Sequence, residues 1–225
     1  MEFIGRMIPL FVYESIGVTL LRVALELGLA CKNPNTPGRI VSAVHSLACA
    51  MWISSSDWQS AISATFLYFM SDGIMNLASQ PSNILMMVHH ILGAVLCFAA
   101  IHFRLWEGDT PEAAITNSLI MMETTSITVQ AAFISYHEFE YADLMTPALL
   151  HFIVVRVLCV GHPILTHYEY VKASKSLVIH SLYVISCLLW LQQIAWSFLW
   201  TQRLLKELCK TPGSEKYESE KKKED

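Results

Sequence analysis

Long apolar runs separated by short polar segments dominate this chain. The runs occupy about residues 7–31, 40–55, 58–77, 84–103, 112–135, 144–166 and 177–200. About 20 residues at a helical rise of 1.5 Å cross the hydrocarbon layer of a bilayer, and most of the runs approach that length. Their continuous apolar character differs from the alternation of half-buried strands. The pattern therefore predicts an all-α, polytopic membrane bundle of about seven transmembrane helices.

Loop signals divide the chain into three parts. Residues 32–39 are rich in Pro, Asn and Gly, which is typical of a loop, and the last residues are charged and contain Pro, Gly and Ser. We expect an N-terminal span and loop over 1–38, a transmembrane domain over 39–204 and a disordered cytosolic tail over 205–225. Within the sixth run, the pair His162-Pro163 predicts a kink or break of the helix.

Composition supports the membrane class and excludes several others. Hydrophobic residues make up 54% of the chain and charged residues only 15%, against about a quarter in soluble domains. The six cysteines form no CxxC pair, and the histidines show no HxxxH or HExxH spacing, so we expect no metal site. No basic patch predicts a nucleic-acid partner, and no glycine-rich loop predicts a phosphate cradle.

The basic residues predict the orientation. Seven spans place the two ends of the chain on opposite sides of the membrane. With the C-terminus in the cytosol, nine Lys and Arg residues lie on the cytosolic side and four on the other. Because cytosolic segments carry an excess of Lys and Arg, we expect a luminal N-terminus and a cytosolic C-terminus.

Ionisable side chains occur near the middle of several runs. Because such groups are costly in a bilayer, they usually face a polar interior shared by the bundle. We expect Arg156 to pair with Asp72 or Glu123, or to face a water-filled space. The residues that we expect to share this interior are His45, Asp72, His89, His90, Glu123 and Arg156.

This polar set has two interpretations, which the sequence leaves open. It can be an ion-pair and hydrogen-bond network that fixes helix packing. It can also be catalytic, since Asp72 could orient His89 or His90 as a general base or as an acyl-accepting nucleophile. A related feature is the fifth run, where Thr116, Glu123 and Gln130 recur every seven residues. That spacing predicts a polar stripe on one face of a single helix.

Five short segments, taken in order, resemble the TLC-domain family of multi-spanning membrane proteins of the endoplasmic reticulum. The resemblance covers about residues 39–170. Its segments are RIVSAVH at 39–45, YFMSD at 68–72, VHHIL at 88–92, ETTS at 123–126 and FIVVR at 152–156, ahead of Pro163. The resemblance implies a bundle of helices around an elongated, lipid-accessible cavity.

The family resemblance also implies lipid handling. Ceramide synthases in this family use acyl-CoA to acylate a sphingoid amine, with a threonine close behind the histidine pair and two aspartates in the next span. Here Gly93 stands three residues after His90, and the next span offers Glu123. We therefore expect lipid sensing or control of membrane lipid composition, including sphingolipid homeostasis, without a bound cofactor. The alternatives are an acyltransferase that uses acyl-CoA as co-substrate, and a cargo receptor of the endoplasmic reticulum.

The end of the chain carries a separate signal. Lys222 and Lys223 lie four and three residues from the C-terminus, which resembles the dilysine retrieval signal read by retrograde coat proteins. The alternative is a charged tail that only aids solubility. We expect a protein of the endoplasmic reticulum membrane that cycles to the early Golgi. Its expected partners are membrane lipids and coat proteins, and self-association as a homo-oligomer is left open.

Overall fold

The computed structural model describes residues 31–33, 35–79 and 84–208. The first apolar run, except for its last residue, therefore lies outside the described part. The retrieval lysines Lys222 and Lys223 lie outside it as well. The statements below concern the described residues.

The described chain is almost entirely helical, and none of its residues lies in a strand, which confirms the all-α class. A π-helical segment, Ile153–Cys159, joins the sixth and seventh helices. The helices are α1 (Thr36–Ser54), α2 (Trp58–Ser79), α3 (Ile84–Phe103), α4 (Pro111–Thr124), α5 (Ser126–Phe139), α6 (Met145–Phe152), α7 (Val160–Thr166), α8 (Tyr168–Ala173) and α9 (Leu177–Leu208).

Three helical stretches in the described chain are long and apolar enough to cross a membrane. They are Ile84–Phe103, Met145–Ala173 and Leu177–Lys206. Helix α3 also shows an outward apolar row at three- and four-residue spacing, formed by Ile84, Val88, Ile91, Val95 and Phe98. An exposed apolar row of this kind is typical of a helix face that meets lipid or another apolar partner.

The fifth apolar run forms two helices rather than the single helix that the sequence predicts. Helix α4 ends at Thr124 and α5 begins at Ser126. At the break, Thr125 turns tightly, with its N–H bonded to the carbonyl of Met122, and its hydroxyl donates to the same carbonyl. Side-chain hydroxyls compete in this way with the regular helix ladder. The predicted stripe is therefore divided between α4, which carries Glu123, and α5, which carries Gln130.

The sixth run is irregular upstream of the predicted position. Pro163 lies inside α7, and the helix continues through it, while the widened π-helical segment ends at Cys159. Proline has no N–H to offer to the carbonyl four residues earlier, which here belongs to Cys159. Local π-helical turns are a known way of accommodating such a loss. The disturbance therefore lies on the N-terminal side of the proline.

Two helix boundaries differ from the predicted domain limits. Helix α1 begins at Thr36, with Pro37 in its first turn, so the helix starts a few residues before the predicted domain limit at 39. Helix α9 continues to Leu208, so the first residues assigned to the disordered tail are helical.

Two glycines allow the helices to approach closely. A Cβ atom on Gly93 of α3 would lie 2.3 Å from a ring carbon of Phe69 on α2. A Cβ atom on Gly161 of α7 would lie 2.5 Å from the indole of Trp190 on α9. The Trp190 Nε1 also donates to the carbonyl of Val157 at 2.8 Å, which ties α9 to the π-helical segment.

A carboxylate ties the loop before α1 to the end of α5. Glu138 accepts hydrogen bonds from the N–H groups of Lys32 at 2.8 Å and Asn33 at 3.1 Å, and from the hydroxyl of Thr36. The hydrogen bond from Thr36 is the main reason that the pKa of Glu138 lies below its usual value. The start of α1 is therefore fixed against α5, beside the cavity described next.

Candidate functional site

A cavity of about 300 Å³ lies among α1, α2, α3, the α4–α5 break, the π-helical segment and α9. Its wall contains most of the titratable residues that the sequence places in a shared interior. Uncharged side chains, including Ser42, Tyr68, Phe69 and Trp196, complete the wall. The charged or titratable residues on the wall are Arg39, Asp72, His89, His90, Glu123 and Arg156.

His90 of α3 pairs with Asp72 of α2 inside this cavity. The His90 Nε2 lies 3.1 Å from Asp72 Oδ2, and both side chains are largely buried. Gly73 leaves room for the His90 side chain, since a Cβ there would lie 3.3 Å from the His90 Cβ. A neutral imidazole that donates from Nε2 to a carboxylate keeps Nδ1 as its basic nitrogen. The contact therefore fixes the orientation of the His90 ring on the cavity wall.

His89 faces a different set of partners on the same wall. Its ring meets the edge of Phe69 at 5.3 Å between centroids and that of Trp196 at 5.1 Å. The side chain is buried, and its Nδ1 has no hydrogen-bond partner among the described residues. The aromatic side chains therefore hold the His89 ring beside the cavity and leave its Nδ1 without a hydrogen bond to a described residue.

Arg156 lines the cavity, the second of the two predicted settings, and forms no ion pair with Asp72 or Glu123. Its guanidinium donates from Nε to the hydroxyl of Thr125 at 2.6 Å, from Nη1 to Gln193 Oε1 at 3.1 Å and from Nη2 to the hydroxyl of Ser126. The α4–α5 break presents the two hydroxyls to it. Neutral acceptors on three sides bind one N–H on each of the three guanidinium nitrogens. Arg156 therefore binds the break, the π-helical segment and α9 together.

Glu123 lies at the end of α4, buried in the same wall. Its Oε1 has no hydrogen-bond partner within the described chain, and no described cation lies within ion-pair distance of it. A buried carboxyl oxygen without a partner is costly, whether or not it is ionised. This oxygen is a polar atom beside the cavity whose hydrogen-bonding capacity the described residues leave unused.

His45 does not reach the cavity wall. Its ring stacks on Tyr68, with centroids 4.2 Å apart, and its Nε2 lies 3.4 Å from the thiol of Cys49. Tyr68 in turn lines the cavity. The role that the structure supports for His45 is to fix Tyr68 by stacking.

Sequence reasoning missed several residues of this site. Arg39 was grouped with the loop before α1, yet it lies in the first turn of α1 and lines the cavity. Gln193 is fully buried and accepts from Arg156, and the only signal for it was its polarity inside an apolar run. The described residues contain no group of three or more His, Cys, Asp or Glu side chains that could hold a metal ion.

No protein-family model, no curated protein and no solved structure matches this chain. The resemblance to the TLC-domain family therefore stays a prediction from the five motifs.

Proposed function

We propose that this chain is a TLC-type membrane protein that takes a lipid into the cavity, and so senses lipids or controls membrane lipid composition. The cavity itself is the observation that supports this proposal most. It combines an oriented His90–Asp72 pair, the unpartnered Glu123 oxygen and the aromatic ring of Trp196. A concave site with a few convergent polar groups is the usual form of a small-molecule site.

The proposed setting is a seven-span bundle in the endoplasmic reticulum membrane. Besides the three membrane-length stretches, α1, α2, the α4–α5 pair and residues 7–31 would supply the other spans. The C-terminus would be cytosolic and carry the retrieval signal. Changing Lys222→Ser together with Lys223→Ser should release the protein to later compartments, and an unchanged reticular distribution would remove the retrieval proposal.

Lipid profiles of cells that lack the protein test the lipid role. We expect altered lipid composition, restored by the parent chain and lost again with His89→Ala or His90→Ala at normal protein level. The matched control is His162→Ala, because His162 is exposed on α7. Like the two cavity histidines, it lies in a helical stretch that is long and apolar enough to cross a membrane. If both cavity variants restore the profile fully, the histidines are structural and the proposed site is wrong.

An acyltransferase is the second candidate, favoured by the 3.1 Å contact between His90 and Asp72. In this reaction, His90 would take the proton of an acceptor amine as the nitrogen attacks the thioester of acyl-CoA. An amide bond forms, the thioester bond breaks and coenzyme A leaves. Purified protein supplied with acyl-CoA and a sphingoid base should then form ceramide, and Asp72→Asn should slow it. Absence of product with the parent protein would exclude this activity.

A further inference from the structure

We propose that the end of the cavity beside Arg39 binds the phosphate group of a lipid. This inference rests on the proposed lipid-handling function and adds the class of headgroup that the site takes. The observations that support it are the contacts of Arg39, the position of Arg39 in the fold and the charges around Arg39.

The Arg39 guanidinium is held in place but only partly satisfied. Its Nη1 donates to Gln130 Oε1 at 3.2 Å, and its central carbon lies 4.5 Å from the centroid of the Phe133 ring. Its Nε is buried and has no hydrogen-bond partner among the described residues. A guanidinium carries five N–H donors in a fork that matches phosphate oxygens. Donors therefore remain for a ligand in the cavity.

The partner of Arg39 is itself fixed. Gln130 Nε2 donates to the hydroxyl of Ser42 at 3.3 Å, one helical turn after Arg39 on α1. This bond orients the amide so that its oxygen faces the guanidinium. Gln130 thus positions Arg39 without neutralising it, since an amide carries no charge. Neither Gln130 nor Ser42 supplies an anion to Arg39.

The nearby carboxylates have other partners. Glu138 is bonded to the loop N–H groups and to the Thr36 hydroxyl, and Asp72 contacts His90. Arg39 forms no ion pair with any described residue, whereas Arg203 of α9 lies within electrostatic range and repels it. Arg39 and Arg203 both contribute positive potential at this end of the cavity. That potential favours an anionic group.

The position of Arg39 suits a headgroup. Arg39 lies in the first turn of α1, and Met86, also on the cavity wall, lies in the first turn of α3. This end of the cavity is therefore near the helix ends, where a bilayer places lipid phosphates. A volume of about 300 Å³ is at the lower limit of ligand pockets and suits a headgroup with its glycerol rather than two full acyl chains. The chains would extend along the outer apolar faces.

Native mass spectrometry of the purified full chain in neutral detergent tests this proposal. The probes are dioctanoyl phosphatidic acid and dioctanoylglycerol, which differ only in the phosphate. We expect tighter binding of the phosphatidic acid, and Arg39→Gln should weaken it at least about tenfold, because charge-assisted hydrogen bonds to the phosphate are lost. Arg39→Lys should retain part of the affinity, because it keeps the charge but not the fork. Arg104→Gln is the matched control, as Arg104 is exposed after α3 and pairs with Glu107.

The outcomes separate the two proposals. Equal affinity for both lipids, unchanged by Arg39→Gln, overturns the phosphate assignment while lipid handling stands. Binding of neither lipid contradicts the proposed function itself. Displacement of the phosphatidic acid by inorganic phosphate or free coenzyme A at equal concentration shows a site for soluble phosphate compounds, which also overturns the lipid assignment. If Arg39→Gln elutes from a sizing column as the parent protein does, its loss of affinity is not caused by misfolding.

Discussion

Arg156 is buried in an apolar run and satisfied only by uncharged groups. Replacing it with Gln leaves the hydroxyls of Thr125 and Ser126 and the amide of Gln193 without their charged donor. We expect Arg156→Gln to lower the free energy of unfolding by about 1–3 kcal/mol, the usual cost of unsatisfied buried polar groups. Thermal unfolding of the purified protein and the yield of monodisperse protein measure it.

Arg104→Gln is the control for this change. Arg104 is exposed and its pair with Glu107, three residues away, lies on the surface. Such pairs contribute at most about 1 kcal/mol. If the two substitutions shift the unfolding temperature equally, the three-way contact of Arg156 does not stabilise the bundle.

Glu138 makes a pH-dependent contact at the surface. Its pKa is lowered, chiefly by the hydrogen bond from Thr36, so its tether to the loop is fully present above the unfolded-state pKa of about 4.3. The tether is lost as the pH falls through the lower folded-state value. We expect Glu138→Gln to speed hydrogen exchange at the N–H groups of Lys32 and Asn33 at neutral pH, and the difference from the parent to shrink as the pH falls below about 4.3.

Glu140→Gln is the matched control for the tether. Glu140 is exposed, and among the described residues its carboxylate contacts the ammonium of the same Lys32, at 3.5 Å. Its loss should leave the exchange of the loop N–H groups nearly unchanged. Equal acceleration by both variants would mean that the loop responds to net charge rather than to the hydrogen bonds of Glu138.

The sequence predicts which titratable residues are buried better than it predicts their partners. His89, His90, Asp72, Glu123 and Arg156 all reach one cavity, because a charge inside an apolar run has few other places to go. The acceptors of Arg156 were missed because they depend on how three elements meet. That arrangement follows from packing between segments about 30 residues apart or more.

At the scale of elements, the contact between α2 and α3 depends on Gly93. Ala at this position would place its Cβ against the ring of Phe69, which is itself packed against the rings of His89 and His90. We expect Gly93→Ala to destabilise the protein by about 1–3 kcal/mol, as overpacked cores do, and Phe69→Leu to restore part of the loss. Thermal unfolding of the two single variants and the double variant measures this coupling.

Val88→Ile supplies the control on the same helix. It adds one carbon, as Gly93→Ala does, but on the exposed outer face of α3. Its effect should be within about 0.5 kcal/mol. A double variant no more stable than Gly93→Ala alone would contradict the proposed clash with Phe69.

The helix bounds could be predicted where the apolar pattern is regular, and the prediction was wrong where it is not. The pattern gives α3 as 84–103, which is the observed helix. It gives residues 112–135 as one helix, because the pattern registers hydrophobicity and not the hydroxyl bonds around Thr125 that divide α4 from α5. The π-helical segment could not be predicted either, because it does not change the apolar composition of its run.

For the whole molecule, the proposed seven-span topology predicts a cytosolic C-terminus. In sealed microsomes, a tag fused after Asp225 should be digested by added protease, while a tag before Met1 should survive until detergent is added. The expectation rests on the nine basic residues assigned to the cytosolic side. A protected C-terminal tag would contradict the topology and, with it, recognition of Lys222 and Lys223 by coat proteins.

The contacts of Arg156 have a consequence for biosynthesis. Thr125 and Ser126 precede Arg156 by 31 and 30 residues, and Gln193 follows it by 37. The ribosome therefore completes two acceptors before the arginine emerges and the third well afterwards. An arginine at the centre of an isolated helix resists insertion by about 2.5–3.5 kcal/mol on translocon scales. The nascent chain can offset part of that penalty by docking Arg156 onto the α4–α5 break while α9 is still unmade.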